Sequence, residues 1–268
     1  MAKISFTPEL KKQYENLFNT CQIRSDRLPA IEQIIERILS NQARYEDVSG
    51  GLQIPWYFVA VVHNMEASLN FKRHLHNGDP LTARTRQVPA GRPKTGQPPF
   101  TWETSAIDAF ILRGLNKKTD WSLAGTLYQL EGYNGWGYRL YHAHVLSPYL
   151  WSGSLHYKCG KYVADGTWSD TAISSQLGSA VLLRRMAEHG QIQFADQPAP
   201  TEEAKPLVVN YTMTKPADPA EVAKAEQLQC WLNTFPGIFV KVDGVAGERT
   251  SNAYKKVTGS YLPGDPRK

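Results

Sequence analysis

A single carboxylate stands where an apolar stretch ends. In IPWYFVAVVHNMEASLN, residues 54–70, a helix begun by Pro55 would carry Glu66 on one face with Val59, Val62, His63 and Leu69. Desolvation on that face favours the neutral acid, and the negative end of the helix dipole works in the same direction. Both effects are expected to raise the pKa of Glu66, as the general acid of glycosidic cleavage requires. The plain alternative is a glutamate bonded to His63 or to a backbone group inside the core.

A glycosidase acting through two carboxylates needs the second at about 5 Å for retention or about 6.5–9.5 Å for inversion. Asp79, in the Asn77-Gly78-Asp79-Pro80 turn, is one candidate if a hairpin folds it over the cleft. Glu103 is its rival, although after Thr101 it also suits the first turn of a helix. Asp165, in VADGTW, is a third.

The segment EGYNGWGYR places Tyr133, Asn134, Gly135 and Trp136 in a glycine-bounded loop. There a flat ring stacks on sugar C–H groups and an amide meets hydroxyl or acetamido groups. Trp102, Trp151 and Trp168 serve equally as core or as sugar platforms. Arg84, Arg86 and Arg92 are solvated loop charges or partners for peptide carboxylates. His63, Glu66, His74 and His76 leave a zinc peptidase or amidase open, but H-x-x-E is not the H-E-x-x-H pattern. No further ligand set follows downstream, and neither a G-x-S-x-G elbow nor a phosphate-binding glycine pattern occurs; no metal or other cofactor is expected.

Helices must position these groups. TPELKKQYENLFNTC and LPAIEQIIERILSN carry apolar residues at helical spacing, each with a proline near its start; Gly50-Gly51 then reads as a break. Short alternating pieces on either side of Asn77-Gly78 read as a β-hairpin followed by an exposed loop. Helical periodicity returns in TWETSAIDAFILRGL, in DWSLAGTLYQLEGY and in SDTAISSQLGSAVLLRRMAEHG. The expected fold is mainly α, with a small β-hairpin and a small three-helix C-terminal module. Residues 1–193 form the main domain, 194–219 a proline-rich linker in which PLVVNYTM could pair as a strand, and 220–268 the module.

The final segment, LQCWLNTFPGIFVKVDGVAGERTSNAYKKVTG, resembles the peptidoglycan-binding modules of wall hydrolases. Leu228, Gln229, Leu232 and Asn233 match its first element; Asp243, Gly244, Gly247 and Thr250 match its second, with Thr250 expected to cap the following helix. With that module in place, residues 50–165 resemble the lysozyme-like superfamily of muramidases and lytic transglycosylases. In these a catalytic Glu ends a buried helix, a small hairpin follows, and a Y-N-x-G segment lines the cleft. The resemblance implies Glu66 as the acid and Ser68, Tyr133, Asn134, Gly135 and Trp136 as substrate-binding residues. It also implies that one essential Glu suffices in some members. Transglycosylases carry Glu and Ser adjacent, whereas Ala67 separates them here, which turns the expectation towards hydrolysis.

The expected activity is therefore a muramidase of phage endolysin or autolysin type, with peptidoglycan glycan strands as partner. A lytic transglycosylase, a zinc-dependent wall peptidase and a non-enzymatic wall-binding protein are the alternatives. The net charge of +5 suits an anionic partner without selecting one, and nucleic acid is not expected. Three scattered cysteines point to a reducing compartment of synthesis. The first residues do not read as a secretory signal, and the longest apolar run is too short to cross a bilayer. A monomer made in the cytoplasm and acting on the wall after release is expected.

Overall fold

The computed structural model describes residues 4–196, 208–235 and 237–267. The expected mainly α fold with a small hairpin is present. The described residues divide into two compact units. One is built from residues up to Tyr14 and from Cys21–Leu183, the other from Glu15–Thr20 and from Arg184 onward.

Among the described residues the helices are α1 (Pro8–Asn19), α2 (Leu28–Leu39), α3 (Gln42–Leu52), α4 (Trp56–Ala67), α5 (Trp102–Leu112) and α6 (Leu123–Asn134). They continue with the short α7 (Gly137–Tyr141) and α8 (Pro148–Trp151), then α9 (Ser179–Glu188), α10 (Pro219–Leu232) and α11 (Glu248–Thr258). In the first unit α4 is the central element. It is apolar all round and buried from Tyr57 to Met65, which requires neighbours on every side. Helices α3 and α6 pack on it, and α5 packs on α3. Phe58 meets Phe110 and Trp121, while Tyr45, His63, Phe71 and Trp102 form a second aromatic group.

Three local expectations are corrected. Gly50 and Gly51 do not break the chain: they lie inside α3, which ends at a left-handed Gln53. The stretch SDTAISSQLG is not helical. Its backbone is tied down by the bonds Gly160 N to Ala172 O and Ser174 N to the Tyr157 hydroxyl, and α9 starts only at Ser179.

The third correction concerns the hairpin. Residues 71–80 form tight turns, with His74 N bonded to Asp79 O and Gly78 N to His74 O, and only an isolated bridge between Arg73 and Pro80. Pro80 has no N–H with which to extend a ladder. The two-stranded antiparallel sheet is instead β1 (Lys161–Ala164) and β2 (Thr167–Ser169), joined through Asp165 and Gly166. An Asp-Gly pair between alternating aromatic residues is a strong hairpin signal. Asp165, taken as a candidate acid, is thus an exposed turn residue.

In the second unit Val209, Ala225, Leu228, Leu232, Ile238, Val240, Ala246, Ala253 and Leu262 form the core. Two helices, α10 and α11, stand among its described residues after position 208, where three had been expected. Gln229, 1% exposed, ties the unit together. Its Nε2 donates to Asp243 Oδ1, Val245 O and Thr250 Oγ1, and its Oε1 accepts from the N–H groups of Asp243 and Gly244. Gly244 has φ +74°, and a Cβ there would stand 2.5 Å from Val222 Cγ1. Asn233 bonds Val240 through both N–H and C=O. The motif residues are therefore fold-forming. Thr250 does not cap α11, whose N-cap is Gly247; its hydroxyl donates to Val245 O.

Of the expected linker, residues 197–207 lie outside the described residues, as does Pro236 of the expected turn. Val209 belongs to the core, and no strand forms at Val208–Met213, although Tyr211 N bonds Pro263 O and Thr212 N bonds Ala246 O.

Candidate functional site around Glu66

Glu66 is the second-last residue of α4, and the chain leaves the helix abruptly after it. Ser68 and Leu69 both adopt left-handed backbone, with φ of 50° and 58°. Such conformations cost non-glycine residues about 1–2 kcal/mol each and concentrate at functional sites. Ser68 N bonds Asn64 O, closing the helix end, and the Ser68 side chain is exposed.

The carboxyl of Glu66 has an unusual setting. By accessible area the residue is exposed, yet protein atoms crowd the carboxyl closely enough for desolvation to raise its pKa. The side chain is thus open to solvent on one side and closely neighboured by protein atoms on the other. Oε1 accepts a 2.8 Å bond from the Tyr149 hydroxyl, which opposes the rise, as does the nearby charge of Arg113. No bond joins Glu66 to His63, which instead meets the Tyr45 hydroxyl at 3.2 Å through Nδ1. Burial lowers the pKa of His63 to about 4, so it is neutral at pH 7.

Tyr149 comes from α8, a single turn started by Ser147-Pro148. Ser179 Oγ donates to Tyr149 O at 2.9 Å, and Gly178 N donates to Ser152 O. A Cβ on Gly178 would stand 2.2 Å from Leu150 O, so only glycine allows this approach. Burial first, and then the charge of Glu66, hold the Tyr149 phenol far above its ordinary range; it is a permanent donor. Gln176 adds a 2.7 Å bond to Met65 O beside Glu66.

Tyr133, at the end of α6, is 8% exposed, and its pKa is raised by burial and by the charge of Glu66. The Arg113 guanidinium stands 4.0 Å above its ring. That face is not open for sugar stacking, so Tyr133 is a wall of the site. Asn134 is exposed, and Gly135, with φ 99°, turns the chain there. Trp136 is 8% exposed and packs on Tyr128 at 4.9 Å, so it supports α6 and offers no platform.

Both proposed second acids are engaged by groups other than Glu66. Asp79 anchors the following loop: its Oδ2 accepts from the N–H groups of Arg86 and Gln87 and from Asn77 Nδ2, and the backbone bonds lower its pKa. Glu103 pairs with Arg44 at 2.6 Å. Two of the loop arginines turn inward, Arg84 donating to Pro93 O and Gly96 O and Arg92 pairing with Asp108 at 2.8 Å, while Arg86 is exposed. His74 bonds Ser105 and Ala83 O, and His76 bonds Asp108. Among the described residues no three His, Cys, Asp or Glu side chains cluster as a metal would require. Trp102 and Trp151, each 1% exposed, are core. Trp168 stacks on His142 at 3.5 Å.

Sequence reasoning missed Tyr149, Arg113 and Gln176. They lie 83, 47 and 110 positions from Glu66 and share no motif with it. No helix among the described residues is long and apolar enough to cross a membrane. No family model matches the chain, and neither a curated protein nor a solved structure matches it.

Proposed function

We propose that the first unit is a glycosidase of N-acetylmuramidase type that cuts the glycan strands of peptidoglycan with Glu66 as general acid, and that the second unit binds the wall. The observation that carries this is the solvent-facing yet desolvated carboxyl of Glu66, held through one oxygen by Tyr149. A neutral carboxylic acid whose Oε1 accepts from Tyr149 bears its proton on Oε2, which is then the oxygen presented to a glycosidic bridge. Transfer of that proton to the leaving oxygen lets the sugar pass through an oxocarbenium-like state, which water captures. Asn134, exposed at the end of α6, supplies an amide for acetamido or hydroxyl groups, and Ser68 a hydroxyl.

A second reading has an observation of its own. Asp79 and Glu103, the carboxylates expected to assist Glu66, are both engaged by other groups. That favours a reaction in which the substrate's own hydroxyl replaces water, as in a lytic transglycosylase. Mass spectrometry of digested peptidoglycan distinguishes the two: hydrated reducing ends mark the muramidase, and 1,6-anhydro ends the transglycosylase. Release of peptides alone, or an E66Q variant as active as the wild type, overturns both. Loss of activity on chelation would return the zinc peptidase to consideration.

A further inference from the structure

We infer that Arg113 is a specificity residue of the Glu66 site and recognises a carboxylate on the peptide stem of the glycan. The inference rests on the glycosidase reading and deepens it.

Arg113 caps the C-terminus of α5 and is exposed. It is nevertheless held in place. Its Nη1 donates to Tyr133 O at 3.1 Å, and its Cζ stands 4.0 Å from the Tyr133 ring centroid. A guanidinium clamped by a carbonyl and an aromatic face has already lost much of the freedom that binding would otherwise remove.

Several other arginines of the unit have partners within it, four of them carboxylates. Arg44 pairs with Glu103, Arg92 with Asp108, Arg139 with Glu131 and Arg24 with Asp26, while Arg73 and Arg84 donate to carbonyls. Arg113 has one carbonyl and, among the described residues, no carboxylate within ion-pair distance. The guanidinium lies at the surface beside Tyr133, where its planar set of donors matches the geometry of an outside carboxylate.

The position gives the acceptor its identity. Arg113 and Glu66 both flank Tyr133. A substrate whose glycosidic oxygen reaches Glu66 therefore brings its neighbouring substituents to Arg113. On peptidoglycan those substituents include the peptide stem, whose anionic groups are carboxylates. Exposed Lys117 and Lys118 follow on the same loop and add positive charge.

The test compares soluble peptidoglycan fragments bearing free stem carboxylates with the same fragments after conversion of those carboxylates to amides. For the wild type, kcat/KM is expected to be about tenfold higher on the free acid, mainly through KM, as one charge-assisted fork implies. R113A should bring that ratio close to one, whatever its effect on the amide, and should move the alkaline limb upward because the charge of Arg113 no longer opposes the raised pKa of Glu66. Equal rates of the wild type on both fragments, or a preference that survives in R113A, overturns the inference. An alkaline limb displaced in R113A with the preference intact would leave Arg113 merely adjusting Glu66, and also overturns it. Should R113A be inactive on both, R113K decides, since it keeps the charge and loses the fork: a reduced ratio supports the inference and an unchanged one overturns it. Failure of the wild type to cut either fragment removes the glycosidase reading itself, a result distinct from all of these.

Discussion

Two glutamates of the first unit invite comparison. Glu66 ends α4 and Glu131 lies in the last turn of α6, and the two helices pack together. Desolvation raises the pKa of both. Glu131, however, is 3% exposed, with the Tyr14 hydroxyl at 2.5 Å and Arg139 Nε and Nη2 each at 2.8 Å on its Oε2. Glu66 is open to solvent and has one neutral donor. A buried acid compensated by a cation is structural; a desolvated acid without an ion-pair partner, facing water, can lend its proton. Crowding alone does not distinguish them.

The largest effect expected from this contrast is on turnover. E66Q should lower kcat on peptidoglycan by about a thousandfold, within the range of a general acid, while circular dichroism remains that of the wild type. E131Q should do the reverse. Leaving the half-buried Arg139 without its counter-charge is expected to cost about 3 kcal/mol. Calorimetry should then show melting roughly 10 °C lower, with activity per folded molecule intact. If E131Q abolishes activity in well-folded protein, the division of roles is wrong.

A smaller effect is expected at Tyr149. Y149F removes the donor that favours the carboxylate form of Glu66, so the pKa should climb further and the alkaline limb of the pH–rate profile should move upward. The accompanying fall in kcat should be about tenfold, the worth of one hydrogen bond. A limb that moves downward would contradict the assigned direction.

The smallest effect is on stability as a function of pH. The folded-state pKa of Glu66 lies above its ordinary value, so ionisation is disfavoured in the fold. Stability from this group is fullest below the ordinary carboxylate range and is lost as pH rises through the raised value. Activity, which needs the proton, should decline over the same window. E66Q, which cannot ionise, should melt slightly higher than the wild type at neutral pH; lower melting there would argue that the carboxylate is welcome in the fold.

Much of the scaffold was legible because its signals are local. Apolar spacing marks α1, α2, α5 and α6, and an uninterrupted apolar run marks α4 as central. The role of Gln229 was foreshadowed by a motif whose members lie within about two dozen residues of one another. Errors arose where a local signal competed with packing. Gly50-Gly51 reads as a break until α3 is seen against α4 and α5, and Asn77-Gly78 reads as a hairpin until Pro80 and the inward His74 close it as a turn.

What the sequence determined by itself was an acid at the end of an apolar helix, because helical periodicity and hydropathy are properties of consecutive residues. Which groups face that acid was decided only by the tertiary structure. The donor of Tyr149, the clamped charge of Arg113 and the engagement of Asp79 and Glu103 with other partners each depend on segments far apart in the chain. Their meeting is set by close packing, such as the approach of Gly178 to Leu150, and no spacing rule encodes it.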